Sequence, residues 1–142
     1  MPVVTVTHDF DLPTDDLWEL IGDFGAMGKW SGRPPEACVQ DGEGIGALRT
    51  LTLDDGRKIV DRLEAEGPYF YSYSIVSSPL PFSAYRATMS VEPIDTRSSR
   101  FTWRGEFQPK GMTDEDGVAF TKGMYDMGIG LMQRTLAART RN

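Results

Sequence analysis

The chain has 142 residues, room for one domain around a single core on the prior of roughly 100–200 residues per domain. Hydrophobic residues make up 39% and charged residues 25%, the balance of a globular protein and not of a disordered or membrane-spanning one. With 15 Lys and Arg against 21 Asp and Glu, the net charge of −6 repels phosphate on average and sets nucleic acid aside as a partner.

No apolar run approaches the roughly 20 residues of a membrane helix, and Met1 to Thr5 lacks the basic flank and apolar centre of a secretion signal. A cytoplasmic chain with no membrane insertion is the expectation. Cys38 and His8 are each the single residue of their kind, so neither a disulfide nor a Cys/His metal cluster can be assembled within the chain. No loop has the Asp-x-Asp-x-Asp-Gly spacing of a calcium site, and no metal or cofactor is expected.

In chain order, Val4, Val6, His8 and Phe10 share one face of a first strand by period-two alternation. Pro13 ends it, and Thr14 is placed to cap a helix with Leu17, Trp18, Leu20 and Ile21 on its buried side. Asp15 and Asp16 fall in the first turn, where carboxylates oppose the positive end of the helix dipole. Gly22 or Gly25 stops that helix; a short second one is expected around Phe24 to Trp30, before Gly32-Arg33-Pro34-Pro35 forces a loop. Extended segments follow near Ala37–Gln40, Gly46–Leu53, Lys58–Glu66, Tyr69–Val76, Tyr85–Glu92 and Arg100–Phe107. Asp54-Asp55-Gly56, Gly67-Pro68 and Asp95-Thr96 mark turns between them, and the Gly42-x-Gly44-x-Gly46 run reads as a flexible hairpin because no helix opens after it. Successive strands on short loops imply an antiparallel meander, whose apolar face one long helix must cover.

That helix begins at Thr113, whose hydroxyl can cap the free amides; the run Asp114, Glu115, Asp116 suits the positive end of the dipole. Its apolar face is read as Phe120, Met124, Met127 and Leu131, extended by Val118, Met132 and Leu136, with Arg134, Arg139 and Arg141 towards the negative end. Gly123, Gly128 and Gly130 each cost about 1 kcal/mol relative to alanine in a helix interior. Either the helix backbone packs closely on the sheet there, or the missing side chains leave volume for a ligand.

The chain from Phe10 to Trp18, with Asp23-Phe24 and Trp30, resembles the opening of the START-like, or SRPBCC, superfamily. Asp61-Arg62-Leu63, Tyr71-Ser72-Tyr73-Ser74-Ile75, Pro79-Leu80-Pro81, Tyr85, Phe101-Thr102-Trp103 and Tyr125-x-x-Gly128-Ile129 are similar to its polyketide cyclase/dehydrase and lipid-transport branch. The resemblance implies an α+β helix-grip fold: a curved antiparallel sheet of about seven strands round a long carboxy-terminal helix, with two short helices near the amino terminus and a cavity inside. By comparison with the plant abscisic acid receptors of that superfamily, Asp61 takes the place of a pocket carboxylate and Tyr85 that of a pocket tyrosine. Leu53 to Arg57 and Pro79-Leu80-Pro81 occupy the places of the two lid loops without their distinguishing residues.

Alternation independently gathers Ile59, Asp61 and Leu63 on one face, Tyr71, Tyr73 and Ile75 on a second, Tyr85, Ala87, Met89 and Val91 on a third, and Phe101, Trp103, Gly105 and Phe107 on a fourth. These faces either line a pocket or interdigitate as a filled core. Taken with the resemblance, the candidate ligand-binding residues are Ile59, Leu63, Tyr71, Ile75, Leu80, Met89, Trp103, Phe120, Met124 and Gly128. Asp61, Tyr73 and Tyr85 are the candidate proton-transfer residues. An ionised carboxylate on an apolar face must be paired or solvated. Asp61 is therefore either paired with Arg49 or Arg86, or turned to a wet cavity where burial raises its pKa towards that of a useful base.

His8 reads as a structural strand residue, Cys38 as a small buried one, and Ser77-Ser78 as a strand-end turn lacking a nucleophile elbow. The leading reading is a protein that binds a small apolar or aromatic molecule such as a polyketide, lipid or related metabolite. Two others stand beside it: a cyclase, aromatase or dehydratase moving protons with Asp61 and a tyrosine, and an interaction module forming a homodimer around a vestigial cavity.

Overall fold

The computed structural model describes residues 1–140, so Arg141 lies outside the described residues. Strand β1 (Val3–Phe10) follows its alternation, burying Val4 and Phe10, half-burying Val6 and His8, and exposing Thr5, Thr7 and Asp9. Helix α1 (Thr14–Ile21) buries Leu17, Leu20 and Ile21. Thr14 does not cap it: Pro13 holds the cap position, its carbonyl accepting from Leu17 N–H at 3.0 Å, and Thr14 is already helical. Gly22 ends the helix with the Trp18 indole laid over it, where any Cβ would overlap the ring. Trp18 is thus half-buried against Tyr69 and Tyr71 instead of in the core. The second helix is one turn, α2 (Gly28–Ser31), stopped by Gly32 at φ 75°, with Phe24 and Trp30 buried on either side of its start.

The strands are β2 (Cys38–Asp41), β3 (Leu48–Thr52), β4 (Lys58–Gly67), β5 (Phe70–Ser77), β6 (Phe82–Pro93) and β7 (Ser99–Pro109). They form one seven-stranded antiparallel sheet in the order β1-β7-β6-β5-β4-β3-β2. β3 starts later than expected because Gly44 and Gly46, at φ 70° and 94°, turn the chain first. β6 starts earlier, its pairing reaching Phe82↔Pro109 past a register shift at Ser83. Two further shifts in the β4–β5 ladder, at Val60/Asp61 and Leu63/Ala65, bend the sheet beside Asp61, as extra residues in a ladder do.

Helix α3 (Asp114–Thr140) lies across the concave face, its first turn capped by Thr113 Oγ1, which accepts from Asp116 N–H at 3.1 Å. Its rotational setting corrects the expected apolar face. The buried stripe is Gly117, Thr121, Tyr125, Gly128, Ile129 and Met132, whereas Phe120 is 37% and Met127 69% exposed. The reason is complementarity: the helix meets the sheet's Phe107 and Trp103 with Gly117 and Gly128, and stacks Tyr125 on Trp103. A Cβ on Gly128 would stand 2.6 Å from the Trp103 ring, so close packing explains that glycine. Gly123 has no neighbour within 4 Å and Gly130 only the Arg134 side chain at 3.9 Å, so neither makes room beneath the helix.

Candidate functional site

The bend in β4 and β5 turns a set of polar side chains inward among aromatics. Arg49 and Asp61 are opposite in register on β3 and β4, and each is 2% exposed. Arg49 donates to Asp61 Oδ2 from Nε at 3.0 Å and Nη2 at 2.7 Å, and from Nη1 to the Phe24 carbonyl at 2.9 Å and Tyr71 Oη at 3.2 Å. Its guanidinium also stands 4.3 Å from the Phe24 ring centroid and 5.0 Å from that of Tyr73, so hydrogen bonds and aromatic faces together hold the cation. Of the two pairings open in the sequence, Arg49 is the one formed. Arg86 lies on the convex face, opposite Ser74 and Glu106.

Asp61 Oδ1 has no hydrogen-bond partner among the described residues. Burial pushes the Asp61 carboxyl up from the ordinary range, against the pull of Arg49. Beside it runs a chain of hydroxyls: Trp103 Nε1 donates to Tyr73 Oη at 3.2 Å, Tyr73 Oη is 3.4 Å from Tyr85 Oη, and Tyr85 is bonded in turn to Tyr125 of α3. Burial raises all three phenols, Tyr73 and Tyr85 well above the ordinary value, so they act as hydrogen-bond donors and not as bases. Tyr125 stacks on Trp103 with centroids 4.3 Å apart, and its hydroxyl occupies the space a side chain at Gly105 would take.

A chamber of about 130 Å³ remains between these groups, lined by Asp61, Tyr73, Tyr85, Ile59, Ile75, Leu80, Met89, Trp103 and Met124, with Arg49, Met27, Leu51 and Tyr125. An apolar cleft of about 270 Å³ adjoins it under α2 and α3 and shares its walls at Met27, Leu51, Trp103 and Met124. Filled core and pocket therefore coexist, the tyrosines interlocking while space persists beside them.

Not every residue nominated from the sequence reaches this space. Gly128 lines the cleft but not the chamber. Leu63 is core, Tyr71 is spent on Arg49, and Phe120 packs on Phe82 at the start of α3, none of them lining either space. Tyr125, Met27, Leu51 and Trp30 were missed. Leu51 was legible as the inward residue two positions after Arg49; Tyr125 required the setting of α3.

The other motifs lie at the edges of this space or away from it, and Cys38, expected to be buried, is half-buried in the wall of the cleft. His8 stands edge-on to Phe10, its Nε2 3.0 Å from the Gln133 amide nitrogen, in an open acidic groove of about 560 Å³ that holds none of the nominated residues. Cys38 Sγ donates to the Gly25 carbonyl at 3.5 Å, and Ser78 Oγ accepts from Leu80 N–H in the expected turn.

Comparison with known proteins agrees with this geometry. No curated protein sequence matches the chain. Among solved structures, XoxI from Bacillus cereus is 29% identical at a TM-score of 0.83, covering 98% of this chain and 99% of its own. A START superfamily protein from Mycobacterium smegmatis is 9% identical at a TM-score of 0.78, covering 96% and 98%. The di-domain ARO/CYC protein BexL is 14% identical at a TM-score of 0.72, over 100% of this chain and 48% of its own. The family model described as polyketide cyclase/dehydrase and lipid transport matches residues 1–137. Its match over nearly the whole sequence, on a sheet that grips a long carboxy-terminal helix, makes this chain a member of the polyketide cyclase/dehydrase and lipid-transport family.

Proposed function

We propose that the chain binds a small apolar or aromatic molecule, a polyketide, lipid or related metabolite, with one ring or short segment in the chamber and the remainder in the adjoining cleft. The carrying observation is that the two spaces lie side by side, with Met27, Leu51, Trp103 and Met124 lining both. The chamber alone is below the roughly 300–1,000 Å³ of ordinary ligand sites, but a dry engineered cavity of roughly 150 Å³ takes a benzene ring. The cleft supplies the rest of a larger guest, and its lining is almost wholly apolar. Native mass spectrometry of the purified chain, followed by titration of the stripped protein with a bicyclic aromatic, tests this. A retained or saturably bound guest that perturbs the fluorescence of Trp30 and Trp103 is expected; unchanged spectra at millimolar guest would refute it.

A second reading, proton transfer as in a cyclase, aromatase or dehydratase, draws support from the orphan Asp61 Oδ1 next to the hydroxyl chain. In that reading Asp61 takes a proton from a bound chain while Tyr73 and Tyr85, kept protonated by burial, stabilise developing charge on its oxygen. Orientation and exclusion of water supply most of the acceleration. Conversion of a polyketide mimic that proceeds undiminished in an Asp61→Asn variant rules this reading out.

A further inference from the structure

Hydrogen-bond counting in the chamber specifies what its guest must carry, given the reading that the space is a binding site. Tyr73, Tyr85 and Tyr125 bring three phenolic protons, and two of them make the bonds between the hydroxyls. One proton is left over. It resides on Tyr73 when the chain runs from Tyr125 through Tyr85, on Tyr125 when it runs the other way, and on Tyr85 when both neighbours donate to it.

The surroundings favour the first direction. Tyr73 Oη then accepts from both Trp103 Nε1 and Tyr85, filling its lone pairs, and its own proton points away from the chain. Asp61 is its diagonal neighbour on the concave face, since Leu63 is opposite Tyr73 and Asp61 opposite Ile75. Negative charge at Asp61 draws the positive end of the hydroxyl chain towards it. Both side chains line the chamber, and Asp61 Oδ1 is a buried acceptor with no partner among the described residues. The chamber thus holds one unspent donor and, on the next strand, one unspent acceptor.

We infer that the chamber recognises a hydroxyl group on its apolar or aromatic guest, which accepts from Tyr73 and donates to Asp61 Oδ1. A hydroxyl is the smallest group able to do both. A carboxylate has no proton to give and would stand beside Asp61, an ammonium has no lone pair for Tyr73, and an ether accepts without donating. On a single uncharged oxygen, as one small bridging group requires, both roles belong to phenols, enols and alcohols, the ligand class selected on an apolar body.

Three single-ring probes separate this inference from the broader binding proposal: phenol, its isostere toluene, and anisole, titrated into the full chain and followed through its amide NMR spectrum. Phenol is expected to bind about tenfold tighter than either, the worth of one well-made hydrogen bond to a charged partner. Tyr73→Phe should shrink the advantage of phenol over toluene without weakening toluene, and should level anisole with toluene, since anisole's one hydrogen bond is the one it accepts from Tyr73. Asp61→Asn, whose oxygen stays on Arg49 and turns an amide N–H to the guest, should remove the advantage of phenol over anisole. Each variant's amide spectrum reports whether it is folded, and either one suffices. Equal binding of phenol and toluene, or a phenol preference left undiminished by both Tyr73→Phe and Asp61→Asn, overturns the hydroxyl inference and leaves ring binding standing. Failure of all three probes to bind overturns both.

Discussion

Arg49 and Asp61 are the two buried charges among the described residues, and their value lies in the pairing. Removing one partner leaves the other buried and uncompensated, which costs about 3–5 kcal/mol, whereas replacing both by apolar residues of similar size is often neutral. Asp61→Ala is accordingly expected to lower stability to denaturant by about that amount, and an Arg49→Met, Asp61→Leu double variant to recover most of it. Urea unfolding of the singles and the double checks this; a double variant no better than the singles would show that the hydrogen bonds to Phe24 and Tyr71, and not the ion pair, carry the region. Two glycines make an opposed pair of predictions. Gly105→Ala drives a methyl into the Tyr125 hydroxyl and should cost about 1–3 kcal/mol, relieved by Tyr125→Phe. Gly123→Ala adds a methyl to an exposed helical position with open space around it and should stabilise by about 1 kcal/mol, read as a rise in thermal midpoint.

At the level of elements, α3 teaches most. Its inward stripe begins with Gly117, which fits against Phe107 and Pro109, and continues through Thr121 and Tyr125 to Gly128 under Trp103. Hydrophobic spacing placed Phe120 and Met127 inside because a helix is ordinarily read as bringing bulk to the core, and here the sheet's Phe107 and Trp103 bring it opposite Gly117 and Gly128. Met124 is the residue of the expected face that does reach the ligand space, standing in the wall between chamber and cleft. Met124→Trp fills that wall, and a guest that needs both spaces should lose at least tenfold in affinity by fluorescence titration while the amide spectrum stays folded. Unchanged affinity would show that the guest does not rest against Met124 and so does not span the two spaces.

Taken whole, the molecule is a sheet whose order places β5 at the centre with β4 and β6 beside it, so the buried carboxyl of β4 meets the tyrosines of β5 and β6 there. The pH response follows from the opposed directions of its carboxyls. Asp61 is raised by burial in the folded state above its unfolded value of about 3.9, so its contribution to stability is complete below that value and lost as pH rises through the folded one. Asp9, Asp55, Glu64 and Asp95 are lowered, chiefly by hydrogen bonds from Arg100, Arg57, Ser74 and Arg97, and act in the other sense, their contribution being lost as pH falls. The difference in thermal midpoint between the wild-type chain and Asp61→Asn isolates the first effect. The wild type's relative stability should fall as pH is raised from about 4 towards neutrality. A difference that grows over that range would show that the Arg49 pair outweighs burial.

Much of the architecture was readable along the chain because it is local. Period-two alternation in β1 and β7, the turns at Asp54 to Gly56 and Asp95, and the Thr113 cap each depend on a few neighbouring residues, so these elements and the meander are legible in the sequence. The inward set Asp61, Tyr73, Tyr85, Met89 and Trp103 was legible for the same reason. What only the tertiary structure decided were relations between distant surfaces: the choice of Arg49 over Arg86, the rotation of α3 that admits Tyr125 and expels Phe120, and the volume left over. Each is a difference between two large, nearly matching shapes contributed by segments far apart in sequence, and no local pattern carries the size of such a remainder.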